Sequence, residues 1–182
     1  MIIALTGTPG TGKTSISDKL RESGYEVVDL NKIATDFGFI IGIDKKRNSN
    51  IVDIDKLNQH IKEKYGDKDL VLIEGHLSHL LRFVNKVLIL RCHPEKLFKN
   101  LSSKGWKKQK IMENVEAEIL DIILCESLET HGKNNVFEID VSDKSIDETS
   151  SEIIKILANR IKNMKKYKIG NIDWSEEILK NF

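Results

Sequence analysis

Residues 7–14 read GTPGTGKT and fill every fixed position of the pattern G-x-x-x-x-G-K-[ST]. The glycines at 7, 10 and 12 permit backbone angles at which successive N–H groups converge on anionic oxygens. Lys13 offers a mobile ammonium to outer phosphate oxygens, and Thr14 offers a hydroxyl to Mg²⁺. Thr11 lies within the loop and Ser15 extends it into the segment that follows. The apolar run Ile2-Ile3-Ala4-Leu5 precedes the loop and a helical pattern follows it, so the strand and helix that the motif requires are both present. The helix opening near Lys13 adds the positive end of its dipole. These residues predict a site for a nucleoside triphosphate with Mg²⁺.

Three further groups carry candidate chemistry. Glu74 ends the apolar run Leu70–Ile73, where a carboxylate can hold Mg²⁺ through water; a solvated strand-end acid is the plain alternative. His76 follows after Gly75 and can orient an acceptor oxygen or shuttle a proton, or be a hydrogen-bonded structural histidine. Asp29, at the end of another short apolar run, can face an acceptor nucleotide or cap a helix. Lys104, Lys107, Lys108 and Lys110 form a basic connector, read either as a lid that closes on phosphates or as a solvated charge run. Arg91 ends a strand and is a second candidate cation. The spacings of His76, His79, Cys92 and His93 match no compact zinc motif. Cys125 falls on a helical pattern and is expected to be inert packing.

The elements that must position these groups alternate along the chain, which predicts an α/β domain with a parallel sheet. Strands are expected at about 2–6, 26–29, 70–74, 86–91 and 136–139. Helices are expected from Lys13 to near Gly24, over 31–39, and from Asp53 or Asp55 through Leu57, Ile61 and Tyr65 to Gly66. Pro94 opens another, with Leu97, Phe98 and Leu101 as its stripe. One long helix is expected to carry Ile111, Val115, Ile119 and Ile122 as far as Gly132. Ser145 to Glu148 reads as a capping box opening a last helix with Ile153, Ile154, Leu157, Ile161 and Met164 inward. Residues 42–50 read as an exposed basic loop. The tail 165–182 is basic and then acidic around Trp174; docking on its own domain and docking on a partner both stay open.

Bulk properties bound the class. At 182 residues the chain fits one domain with a substantial core. A net charge of +1 supplies no global field for nucleic acid or membrane, and sequence-specific nucleic-acid binding is not expected. No run approaches the roughly 18 apolar residues of a membrane span. Two cysteines outside any CxxC pair fit a reducing compartment, and the N-terminal residues lack a basic signal region and a cleavage site. A cytoplasmic monomer is expected.

Several segments together resemble one family. GTPGTGKT, the later IVDIDKL, EGHLSHLL after the third strand and LFKNLSSKGWKKQKIMENVEAEIL are similar to the adenylate kinase isoenzyme 6 family. These are broad-specificity nucleoside monophosphate kinases of archaea and nuclei, also described as coilin-interacting nuclear ATPases. The resemblance spans nearly the whole chain. Gly170-Asn171-Ile172-Asp173-Trp174 resembles archaeal members in particular. It implies an adenylate kinase-like P-loop NTPase fold over 1–164, with five parallel strands flanked by helices, an acceptor-binding region at about 31–53 and a lid at about 103–113. It implies γ-phosphate transfer from ATP to nucleoside monophosphates, AMP and dAMP favoured, together with ATP hydrolysis. It also implies a part in small ribosomal subunit maturation, with a platform ribosomal protein as transient partner. Gly10, Gly12, Lys13, Thr14 and Ser15 match the family's ATP-binding loop, Glu74 its Walker B-like acid and His76 its histidine. Lys104 stands where eukaryotic members have arginine, a point charge in place of a bidentate fork. The D-G-F-P-R pattern of ordinary adenylate kinases is missing after the third strand. Acceptor-phosphate recognition therefore falls to Arg82 or to Lys45, Lys46 and Arg47.

Overall fold

The computed structural model describes residues 1–45, 49–162 and 164–179. Five strands form one parallel sheet: β1 (Ile2–Gly7), β2 (Val27–Asp29), β5 (Val71–Glu74), β6 (Lys86–Arg91) and β7 (Val136–Asp140), in the order β2-β5-β1-β6-β7. The helices are α1 (Lys13–Glu22), α2 (Leu30–Asp36), α3 (Ile54–Tyr65), α4 (Pro94–Ser103), α5 (Lys108–Ile119), α6 (Ile122–His131) and α7 (Ile146–Ala158). Strand residues alternate between two apolar cores, as a sheet covered on both faces requires. Ile3, Leu5, Leu72, Leu88 and Leu90 pack with Ile16, Leu20, Leu97, Leu101, Ile111, Val115, Ile153 and Leu157. Ile2, Ala4, Val71, Ile73, Val87 and Ile89 pack with Leu30, Ile33, Leu57, Ile61 and Leu124.

Register places the chemistry on one edge. Glu74 lies opposite Leu5 on one side and Asp29 on the other, so β1, β2 and β5 end together. β1 sits between strands that are not its sequence neighbours, which opens a crevice at its carboxyl end. The Asp53 cap of α3, the Pro94 start of α4 and the Ser145–Glu148 capping box of α7 form as the sequence predicts.

Three expectations need correction. The expected loop at 42–50 contains the antiparallel strands β3 (Ile40–Asp44) and β4 (Ser49–Val52), and the helix before it stops at Asp36. The hairpin stands apart from the main sheet with Ile41, Ile43 and Ile51 exposed, so burial periodicity was too weak to mark it. Lys46 and Arg47 lie outside the described residues. The single helix expected over 111–131 breaks between α5 and α6, where Asp121 takes the left-handed conformation (φ 55°). Arg91 bonds both sides of the break. It donates to the Glu118 backbone carbonyl at the end of α5, an acceptor a continuing helix would have used, and binds the Asp121 carboxylate at the turn itself. Cys125, expected to be packing, is exposed on α6.

The tail docks on its own domain. Lys168 bridges to Phe137 of β7, the Gly170 amide donates to Glu138, and Trp174 meets His93 edge-on at 5.0 Å. Lys166 and Tyr167 bond Glu152 of α7, and with Lys144 they hold that carboxylate down at about 2 against the opposing effect of its burial.

Candidate active site

The phosphate loop joins β1 to α1 by two backbone devices. At Gly7 (φ +141°) a Cβ would sit 2.4 Å from the Leu90 carbonyl of the adjacent strand, so only glycine lets the chain turn there. Gly12 (φ +87°) precedes α1 and provides no side-chain cap, leaving the first-turn amides of a ten-residue helix open. They face a cavity of about 200 Å³ lined by Pro9, Gly10, Gly12, Lys13, Thr14, Ser15, Asn31, Glu74, His76 and Lys104. The structure thus gathers most of the predicted loop residues with Glu74, His76 and Lys104. Gly7 and Thr11 shape the loop from behind, with Thr11 donating to the Thr8 carbonyl at 3.0 Å.

Lys13 is buried, and its ammonium donates to the carbonyls of Gly7 (2.6 Å) and Thr8 (3.0 Å). Burial lowers it to about 8; Glu74 and Glu118 oppose that shift and Lys104 adds to it. It is mostly charged at neutral pH and positioned to exchange two carbonyls for phosphate oxygens. Glu74 is also buried, and burial and then Asp29 raise it above the usual carboxylate range, against the pull of Lys13 and Arg21. Among the described residues no three His, Cys, Asp or Glu side chains gather to hold a metal. A Thr14 hydroxyl and one carboxylate suit Mg²⁺, which takes few protein ligands and completes its shell with phosphate oxygens and water.

His76 reaches the water of the cleft but has protein close around it. That desolvation, followed by the charges of Lys13, His79 and Lys110, pushes it down to about 4. The imidazole at neutral pH is therefore the neutral form, which fits orienting an oxygen better than shuttling a proton. Behind it His79 is buried, with Nδ1 3.1 Å from Thr6 Oγ1 and Nε2 2.9 Å from Glu126.

Three candidate cations or acids take other places. Asp29 caps α2, accepting from the Lys32 amide at 3.0 Å, and is not among the cavity residues. Arg82 is exposed and pairs with Asp55 at 3.3 Å. Arg91 is buried: burial opposes its charge, yet Glu118, Asp121 and Glu138 raise its pKa further, so it is a structural cation and not a phosphate ligand.

A second, larger cavity of about 950 Å³ opens beside the first. Its walls come from the phosphate loop (Thr8, Pro9), β4 (Ser49, Asn50), the turn after β5 (His76, Leu77, His79), Trp106, α5 (Lys110, Glu113, Asn114, Ala117) and α6 (Ile122, Ile123, Glu126). Pro9 and His76 line both cavities. Sequence reading missed Asn31, Asn114 and Ala117. For the latter two the available signal was the flank of α5 beside Ile111 and Val115, where Lys110, Asn114 and Ala117 recur at helical spacing; Asn31 lies on α2. A third hollow of about 70 Å³ lies on the other side of the loop, lined by Gly10, Gly12, Ile16, Lys96, Asn100, Val141 and Ile146 among others.

A parallel sheet with this loop after its first strand and helices on both faces defines a P-loop protein of the small-kinase fold. Shikimate kinase from Acinetobacter baumannii in complex with shikimate superposes with a TM-score of 0.61 at 18% identity, covering 88% of this chain and 95% of that one. A family model described as an AAA domain matches residues 3–121. An Archaeoglobus fulgidus protein described as "Putative adenylate kinase" is 40% identical over 178 residues, 98% of this chain and 94% of the relative. A Methanocaldococcus jannaschii protein of the same description is 36% identical, covering 97% and 94%. The chain belongs to this family of archaeal adenylate kinase relatives. Among the described residues no helix is long and apolar enough to cross a membrane.

Proposed function

We propose that the protein transfers the γ-phosphate of Mg²⁺-bound ATP to a nucleoside monophosphate. One observation carries this reading: the phosphate-loop cavity and the larger cleft meet at Pro9 and His76, so donor and acceptor can face each other across a shared wall. The ATP phosphates lie on the loop amides and Lys13. The nucleoside part of ATP leaves the loop on the side of Val141 and Ile146, where the small hollow admits only an edge of it. The acceptor takes the 950 Å³ cleft, with Trp106, Leu77 and Ile123 against its base. Bound Mg²⁺ neutralises phosphate charge; Thr14 and Glu74 hold it there. Neutral His76 orients the attacking oxygen, and Lys104 stabilises charge on the transferred group. Catalysis is then mainly alignment and electrostatics. The relatives' description as adenylate kinases supports AMP as acceptor, and the motif resemblance extends this to dAMP.

A second reading draws on the same resemblance: an ATPase that gates work in small-subunit maturation, gripping a platform ribosomal protein, with transfer to AMP incidental. The capture of Arg91 favours it, because a cation fixed by the sheet is unavailable to the transferred phosphoryl group. The two readings separate by product. With ATP and AMP, kinase action yields two ADP per AMP consumed and no free phosphate. Phosphate release independent of AMP, and faster with the ribosomal protein, supports the switch. A chain that binds ATP but forms neither product overturns both.

A further inference from the structure

Glu118 is almost wholly buried, and its two carboxylate oxygens serve different parts of the molecule. Oε1 accepts from Arg91 Nε at 2.7 Å and from the Cys92 amide at 3.1 Å. Oε2 accepts from the Thr8 hydroxyl at 2.5 Å. Thr8 belongs to the phosphate loop; its hydroxyl is held by Glu118 on α5, and its carbonyl by Lys13 and by Thr11 from within the loop itself. Glu118 belongs to α5, whose Lys110, Glu113, Asn114 and Ala117 wall the larger cleft.

Neutralising Arg91 does not require this acid. Asp121 and Glu138 already bond the guanidinium, and a further buried carboxylate carries a large desolvation cost unless it does something else. When phosphate draws the Lys13 ammonium away, the Thr8 carbonyl loses that partner, whereas the Thr8–Glu118 bond remains.

We propose that Glu118 is a positioning residue for phosphoryl transfer, tying the donor's phosphate loop through Thr8 to the helix that walls the acceptor cleft. This rests on the donor and acceptor assignment given above. Its effect is on the distance and angle between the reacting groups, so it belongs to turnover and not to the affinity of either substrate.

The test compares Thr8→Val, Thr8→Ser, Glu118→Gln and the Thr8→Val/Glu118→Gln pair in the full chain, with ATP and AMP as substrates. Valine keeps the shape and removes only the hydroxyl. Thr8→Val is expected to lower kcat about tenfold, the lower end for a hydrogen bond to a charged group. KM for either substrate should stay within about threefold, and Thr8→Ser should restore kcat to within about twofold of the parent. The double variant should be no worse than the worse single, since Glu118→Gln only takes the charge from the same link that Thr8→Val removes. Unchanged kcat in Thr8→Val, failure of serine to rescue, or multiplying effects would overturn the role of Glu118. If Glu118→Gln does not fold, the valine and serine variants decide alone. A parent chain that neither binds ADP nor consumes AMP sinks the site assignment instead, and is distinguishable because it needs no variant.

Discussion

The two cavities that meet at His76 are built in opposite ways. The phosphate side comes chiefly from one continuous stretch, residues 9–15, with Glu74 brought beside it by strand register. The acceptor side draws on the loop, a hairpin strand, a turn and two helices, and is nearly five times larger. The first is made largely of backbone amides, the second of side chains. The latter include the exposed apolar side chains of Leu120 and Ile122. Binding a polyanion requires fixed dipoles, which a short motif can encode. Choosing an acceptor requires a shape, which only tertiary structure assembles.

Damage should therefore separate by side. Lys13→Ala is expected to lower kcat/KM at least ~100-fold, the scale of losing one electrostatic stabiliser. Its melting temperature should hold or rise, because a buried ammonium costs folding energy. Steady-state kinetics with a thermal melt checks both, and near-normal turnover would contradict the assignment. Trp106→Ala should act on the other cavity alone. KM for AMP is expected to rise about tenfold while KM for ATP stays within about twofold, in keeping with one lost base contact. An equal rise in both would erase the distinction between the sides. The smallest effect is in pH. With Lys13 lowered to about 8, phosphate binding that needs its charged form should weaken as pH rises through that value. ADP affinity by calorimetry should fall about fourfold between pH 7 and 8.5, the drop in the protonated fraction. A flat profile would mean the ammonium keeps its proton well above 8.

The same division explains what could be read from residues alone. GTPGTGKT carries its own structural context, so the strand before it was legible, and the structure brings Lys13 and Thr14 to one cavity with Glu74, which parallel strands ending together put there. Asp29 offered two roles that spacing does not separate; the structure gives it the helix cap. Arg91 looked like a catalytic cation because its partners, Glu118, Asp121 and Glu138, lie 27 to 47 residues away. The α5–α6 break was invisible for the same reason: no local glycine or proline marks it, and the guanidinium bonded at it comes from β6. The hairpin escaped because β3 puts apolar Ile41 and Ile43 on its exposed positions, so its alternation marks no buried face.

The ion cluster around Arg91 also has a thermal consequence. Water solvates charge less favourably on heating, so the cost of keeping this guanidinium and its carboxylates dry shrinks as temperature rises. The gain per unit of apolar burial meanwhile levels off. Replacing the cluster with well-packed apolar side chains would give its largest stabilisation in the cold and a diminishing one in the heat.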